Sequence, residues 1–474
     1  MIEELKNTFK SFNEKFSKKD TIAKIRSDNF EKFVQLGFPN KKLEDWKFSD
    51  FNRIILNKFN NINVNLDQEN EFEFKNYIKE FDHNKIVFLN GFYNNHSFKY
   101  ENEEKIIFGN LKKGPAYKAQ GSNSLNLLNN AFFTDGLLLY VKKGYQCKKP
   151  LVIYNVFNTK NDNNFFNQKI IINVEENSKL DLIIYSINLN SVPIFINTSN
   201  FFLVEKNGLL KLFCINELSN KDLNYNLSQA NVMESGIFEN FILSCSSAFF
   251  KNDIKCTLQE NHSSGFINGA ILAHDNLHHE IKVNLEHIGQ TTKSYQKIKS
   301  VLSNNSKAIF QGKIYVDSNA QKTDGYQLSK AIILDHDSEF DSKPELEIYA
   351  DDVKCSHGST SGSLDEDAIF YLMSRGLNRI DSRNLLIKGF LAAFFILMIN
   401  IILVSIFFGE VIGLSYPTSV IYAIPLSIIS SAVAIPSATG LITKNKEFVV
   451  YESTFSDILG IMFFYYCIRQ AEKG

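Results

Sequence analysis

The sequence predicts a mainly β protein, a β-helix with helical segments before and after it and an apolar tail at its end. Three observations carry this. Between about Lys85 and Tyr349 apolar residues recur at every second position: Leu180, Leu182 and Ile184 form one set, and Ile281, Val283 and Leu285 alternate with Lys282, Asn284 and Glu286. Short β-branched runs such as KIIINV, GLLKLFCI and KIYV are punctuated by Asn90-Gly91, Asp135-Gly136, Asn207-Gly208, Asn268-Gly269 and Asp324-Gly325, which read as turns. No amphipathic helix interrupts the strands, and no repeat of fixed period is present. A sandwich, a propeller and a solenoid all accommodate a long series of short strands; the missing period counts against a regular propeller, and an irregular β-helix fits best.

The remaining elements follow in chain order. Ile2, Leu5, Phe9, Phe12 and Phe16 recur at steps of three and four, one face of a helix. Asp20 can cap a second helix carrying Ile22, Ile25, Phe30 and Phe33, which stops at Gly37 with Pro39 beyond. LEDWKFSDF follows, and its Trp46 is expected to anchor a core. After the strands, Ser363 and Glu366 have the spacing of a capping box before the apolar face Ile369, Leu372 and Met373, with Gly376 as the stop. Asp381 can cap a further helix through Leu385 and Leu386. The chain thus divides into a helical domain at 1–84, the β-helix at 85–350, a helical segment with a Cys-His motif at 351–392 and an apolar tail at 393–474.

That tail reads unlike the rest. Phe390 to Phe408 carries no charge and no proline, about 28 Å of helix at 1.5 Å per residue. Val411 to Thr443 is also uncharged, Pro425 and Pro436 break it, and Glu447, Glu452 and Asp457 lie beside the next apolar run. Prolines near carboxylates in such segments are typical of ion pathways, so a membrane association through the tail is expected.

Composition excludes some functions. With 51 basic and 52 acidic residues the net charge is −1, so nucleic acid is not the expected partner. The six cysteines form no CxxC pair, and Met1 is followed by charged residues rather than an apolar signal run; free thiols in a reducing, cytoplasmic setting are the expectation for residues 1–390.

One segment concentrates chemistry. Asp351, Asp352, Cys355 and His357 fall within seven residues, read as a loop between a strand and the capped helix. Cys-x-His offers a thiolate and an imidazole to a soft or borderline metal, and the carboxylates can orient the histidine. A tight turn whose side chains satisfy loop backbone is the alternative, and a full zinc site would need further ligands. His278-His279-Glu280 is read as a solvated turn, His287 as facing the surface, and Cys147, Cys214, Cys245 and Cys256 as small apolar residues in or near strands.

ADDVKCSHGSTSGSLDEDAIFYLMSRGL, from Ala350 to Leu377, resembles the C-terminal signature of the SufD family, scaffold subunits of SUF iron–sulfur cluster assembly. AQKTDGYQ (Ala320–Gln327) and KKLEDWKFSDF (Lys41–Phe51) resemble two further elements of that family, in the right order. The resemblance implies a right-handed parallel β-helix and a non-catalytic scaffold working with a SufB-like paralog and the ABC-type ATPase SufC. It places His357, with Cys355 and Asp352 nearby, at an interface where a nascent iron–sulfur cluster is built; His357 and Cys355 are the candidate metal ligands. It also brings a reduced flavin into the complex, but no Gly-rich phosphate cradle is present, and no flavin site is assigned to this chain. From about Ala393 the sequence is instead similar to a fragment of a cation:proton antiporter: SIISSAVAIPSATGL resembles a broken-helix segment, and FVVYESTFSDILGIMFF a helix whose ion-binding carboxylate would be Asp457. A membrane transport component with a soluble regulatory part, or a gene fusion without function, is therefore the alternative to the scaffold.

Overall fold

The computed structural model describes residues 2–16, 23–59, 62–64, 74–111, 123–161, 163–190 and 192–391. They fall into two units, residues 1–361 and the stretch from Gly362 onward. The expectations for the tail, Asp457 among them, and for Asp20 lie outside the described residues.

The first unit is a parallel β-solenoid of two facing sheets. One is built from β5 (Leu137–Val141), β7 (Asn164–Val174), β9 (Ile194–Val204), β11 (Leu223–Val232), β13 (Phe249–Leu258), β15 (His278–His287), β17 (Lys307–Val316) and β19 (Glu339–Ile348), in that order. The other runs β2 (Asn84–Leu89), β6 (Leu151–Phe157), β8 (Lys179–Asn188), β10 (Leu209–Glu217), β12 (Ile237–Ser244), β14 (Ser264–Ala273), β16 (Lys293–Leu302), β18 (Thr323–Ile333) and β20 (Val353–Gly362). The chain alternates between the sheets, so each strand pairs in parallel with the strand one turn later. At the first end the pairing turns antiparallel: β3 (Phe92–Ser97) lies on β2, and β4 (Ile106–Gly109) lies on β5.

The expected alternation is the interior face. Leu180, Leu182, Ile281, Val283 and Leu285 are fully buried in one continuous core between the sheets. The turn length explains why no period shows. Asn164 pairs with Ile194, 30 residues on, but Leu223 pairs with Phe249, only 26 on, and Lys307 with Glu339, 32 on. The variation sits in the turns, while the strands keep their register.

One corner of the solenoid is a column of left-handed residues. Asn177, Asn207, Ser235, His262, Thr291 and Lys322 all have φ between 54° and 61°. Each donates its N–H to a carbonyl of the next turn, from Asn177 to Lys206 through to Lys322 donating to Asp352 at 2.6 Å. Asn207-Gly208 and the Asn90-Gly91 hairpin are turns as expected. Asn268-Gly269 and Asp324-Gly325 are not: they lie inside β14 and β18. Gly269 is there because a Cβ would sit 2.9 Å from Ile298 Cδ1 in the packed interior.

A helix missing from the sequence reading, α4 (Ser124–Phe132), is capped by Asn123 and entirely buried. With α1 (Ile2–Phe16), α2 (Ala23–Leu36) and α3 (Phe51–Lys58) it covers the outer face of the first sheet. Leu5 and Phe12 face inward as the spacing predicts, and α2 ends at Gly37 with φ 68°. Trp46 is the expected anchor, 3% exposed and packed on Phe51 and Tyr225.

Trp46 also covers a buried ion cluster. Lys251, fully buried, pairs with Glu280 and with Asp253, and its ammonium lies 4.9 Å from the Trp46 ring centroid. The same ammonium donates to the Asp45 carbonyl at 3.0 Å, and Ser49 Oγ donates to Glu280 at 2.5 Å. Burial works to lower the Lys251 pKa, but the two carboxylates hold it raised. Outside this cluster Lys282 pairs with Asp45, and Lys343 with Glu44 at 2.5 Å. The cluster fixes the LEDWKFSDF segment to β13 and β15, and the Lys343 pair ties it to β19.

Replacing Lys251 by Ala strands two buried carboxylates and is expected to cost about 3–5 kcal/mol, whereas Lys282→Ala, at a partly exposed pair, costs under about 1 kcal/mol. Emission from the single tryptophan, followed through urea unfolding, reads this directly: the Lys251→Ala midpoint falls well below wild type, and the Lys282→Ala midpoint stays close to it.

Candidate docking end and its Cys-His strand

The end of the solenoid carries the Cys-His motif, which is a strand rather than the expected loop. Cys355 and His357 lie on β20, the last strand of its sheet, and share one face because side chains alternate. That face looks into the solenoid. Ser359 Oγ accepts from Ser329 Oγ at 2.8 Å, and a Cβ on Gly325 would lie 3.4 Å from Cys355 Sγ. An offset of thirty residues between β18 and β20 thus sets Cys355 beside Gly325, His357 beside Gln327 and Ser359 beside Ser329. Cys355 packs half-buried against the small cluster of Ile314, Val316, Ala320 and Ala350; His357 is exposed.

Exposure of an inward-facing histidine follows from position. Every strand from β2 to β18 contains a buried residue, but β19 and β20 contain none. Among the described strands none pairs with the outer edge of β19 or β20, and their interior faces are only partly covered.

Asp352 does something else. It lies in the turn before β20, where its carbonyl accepts from Lys322 and its N–H donates to Gln321 Oε1 at 3.0 Å. It closes the column of left-handed turns, and its side chain is exposed. Burial, and then the Asp324 charge, push the Cys355 thiol up, so at neutral pH it is a thiol and not a thiolate. Among the described residues no group of three or more His, Cys, Asp or Glu side chains converges to hold a metal. Cys355 and His357 are two groups on one strand face, an incomplete ligand set.

The other histidines differ from their sequence reading. His278, His279 and Glu280 are not a solvated turn but the start of β15. His278 and Glu280 point outward into the Ser49 and Lys251 cluster, with Ser49 Oγ 2.8 Å from His278 Nε2. His279 is fully buried between Ser244 Oγ at 2.9 Å and the Ser247 carbonyl at 3.1 Å. His287, expected at the surface, is fully buried between Thr292 and Ser294 at 2.7 and 2.8 Å. Its neighbour Glu286 takes the outward place instead. Cys214 and Cys256 are buried apolar residues as expected, while Cys147 and Cys245 are half-buried.

In the second unit, α5 (Glu366–Ser374) is capped by Asp365, whose side chain accepts from the Asp367 N–H, and not by Ser363. The next helix, 379–391, is capped by Asn378, which accepts from the Asp381 N–H at 2.9 Å, rather than by Asp381. Ile369, Leu372 and Leu386 form their small core. The opposite face of α5 leaves Phe370 73% exposed, with Tyr371 and Met373 beside it. No described helix is long and apolar enough to cross a membrane.

Residues 3–390 of the sequence are similar to known proteins. Residues 156–390 match the family model described as SUF system FeS cluster assembly, SufBD core domain, and residues 3–153 match the SufBD protein N-terminal region. The chain belongs to the SufBD family. It is 26% identical over 381 residues to Iron-sulfur cluster assembly protein SufD of Escherichia coli (strain K12), an alignment covering 77% of this chain and 86% of that one. A SufBD family protein of Synechocystis is also 26% identical, over 75% and 83% of the two chains. Iron-sulfur cluster assembly protein SufB of Bacillus subtilis is 24% identical over 57% and 58%. The matched region spans the solenoid and both helical flanks; the antiporter-like expectation concerns residues beyond it.

Burial pushes His279 and His287 down to about 4, so both stay neutral in the folded chain, while unfolded imidazoles take protons near 6.5. The unfolded state therefore binds more protons between those values, and stability falls as pH drops from about 6.5 toward 4. Each imidazole contributes about 2 kcal/mol of this loss at pH 5. A thermal melt at pH 5 is expected well below that at pH 7, and His287→Gln should make the decline shallower.

Proposed function

We propose that this SufBD-family chain is a SufD-like scaffold of SUF iron–sulfur cluster assembly, without catalytic activity of its own, working in the cytoplasm. Its open solenoid end docks a SufB-like paralog, and its C-terminal helices bind a SufC-type ABC ATPase. The observation that carries this is the absence of any buried residue in β19 and β20, against at least one in every strand from β2 to β18. A paralog of the same fold supplies the strands and the interior face that such an end lacks.

Cys355 and His357 then lie at the joint, next to the partner. The nascent cluster is the cargo of the assembly, and each residue offers it one ligand: the imidazole as it stands, the thiol once a cation draws off its proton. Two ligands from one strand leave the remaining coordination to the other subunit. The Phe370, Tyr371 and Met373 face of α5 gives SufC a compact apolar and aromatic patch of the kind that anchors interfaces.

Copurification of the full chain with a SufB-type paralog and SufC tests the assignment; no complex with either partner overturns it. In the reconstituted complex, His357→Ala is expected to lower cluster formation about tenfold or more while the subunits still copurify. Phe370→Asp is expected to weaken SufC binding by about tenfold or more and to leave the SufB-type contact intact.

A further inference from the structure

Inside the solenoid, near its open end, glutamines from one sheet reach across to the backbone of the other. Gln296 on β16 and Gln327 on β18 are register partners, fully buried and inward-facing. Gln296 Nε2 donates to the Lys313 carbonyl on β17 at 3.1 Å, 17 residues further along the chain. In the orientation that satisfies both its neighbours, the Gln327 amide donates to the Gly312 carbonyl at 3.2 Å and accepts from the Glu345 N–H on β19 at 3.3 Å. The opposing strands are shaped for this. Gly312 has no side chain because a Cβ would lie 2.4 Å from the Gln327 amide and 2.9 Å from Gln296 Oε1. In this ladder a β17 carbonyl faces the N–H of the residue after its register partner, as Val316 does with Tyr349, so Gly312 faces Glu345 and the glutamine amide bridges the two; Pro344 leaves no unpaired N–H on the outer edge.

His357 is the next residue in this column, set beside Gln327 by the thirty-residue offset of β18 and β20. It faces inward like the two glutamines, but among the described residues the opposing sheet ends at β19. The chain turns into α5 at Glu366, before a further strand could supply the backbone that the imidazole would meet.

We propose that His357 is the third crosslink of this column, and that an extended strand of the docked SufB-like paralog supplies its partner, a backbone carbonyl that accepts the ring N–H. This rests on the docking of that paralog and adds to it a distinct role for the imidazole. One ring nitrogen is held by the partner's peptide; the other keeps its lone pair and a fixed direction, the usual arrangement of a histidine oriented toward a metal by a backbone carbonyl. His357 is a positioning residue for the interface before it meets iron.

The role is separable from iron chemistry because glutamine already occupies the two preceding places. Affinity of the full chain for the SufB-type paralog of the same organism is measured by titration calorimetry in chelator-treated, metal-free buffer. His357→Ala is expected to weaken binding about tenfold, the loss of one buried hydrogen bond with its acceptor left unpaired, and His357→Gln to stay within about threefold of wild type. His357→Gln is nonetheless expected to fail in cluster formation, where its amide replaces no imidazole ligand. Unchanged Trp46 emission and melting in both variants establish that they are folded. An affinity unmoved by His357→Ala, or a Gln variant as weak as Ala, overturns the crosslink and leaves docking itself intact. A wild-type chain that does not bind the paralog overturns the docking, and the crosslink with it.

Discussion

A parallel strand can satisfy only half of its backbone along one edge; the other half waits for the next turn. This constraint governs the whole molecule. It forces each strand into register with the one a turn later, and it forces each left-handed corner residue to pass its N–H to the following carbonyl. It also means that the stack cannot simply stop. At the first end the chain reverses into β3 and β4, short antiparallel strands that close the run. At the other end, among the described residues, it stops at β19 and β20 without reversal. A long parallel edge left open in a folded chain is a liability unless a second chain uses it, which is why the termination itself is informative.

The outer faces obey a different rule. A sheet face covered by protein must have its charges paired, and Lys251 shows the cost of meeting that condition. Its ammonium is dry, yet two carboxylates, a peptide carbonyl and an indole face surround it. An apolar side chain of the same volume could have filled the space, so the ion cluster gives direction more than strength. It requires Asp45, Trp46 and Ser49 at fixed places over β13 and β15, and thereby sets the register of the N-terminal helices on a sheet whose apolar surface alone would tolerate sliding.

Much of this was legible in the sequence, and the failures share a cause. Alternation of Leu180, Leu182 and Ile184 reports burial directly, because a strand face is decided within a few residues. Trp46 and the Gly37 stop were legible for the same local reason. Glycines were misread where their purpose was distant: Gly269 and Gly325 look like turn residues beside Asn268 and Asp324, but they answer to Ile298, Ile314 and Cys355 on neighbouring turns. His279 and His287 read as solvent-facing because imidazoles usually are; their partners Ser244, Thr292 and Ser294 convert the polarity into satisfied burial. α4 carries Asn126, Asn129 and Asn130 on a buried surface, so its polar residues, which contact the sheet, hid its helical face. The CSHG segment was legible as chemistry and not as shape, since its small polar residues resemble a loop once the strand they pair with is unknown.

That mismatch bears on what the motif is for. Ser356, Gly358, Ser359 and Gly362 bring little β propensity and, with Thr360, little apolar surface to an edge strand. They are suitable for a strand that is to lie inside an interface, where small side chains permit close approach and hydroxyls find partners, as Ser359 already does with Ser329. Within that run only Cys355 and His357 carry ligating atoms, both on the interior face and two residues apart. A self-sufficient metal centre would surround them with further ligands from β18 or β19; the neighbours there are Gly325, Gln327 and Leu346, which coordinate poorly or not at all. Cys355 and His357 are therefore an incomplete set, and under the proposed docking the surface that completes the interior would have to complete any coordination as well.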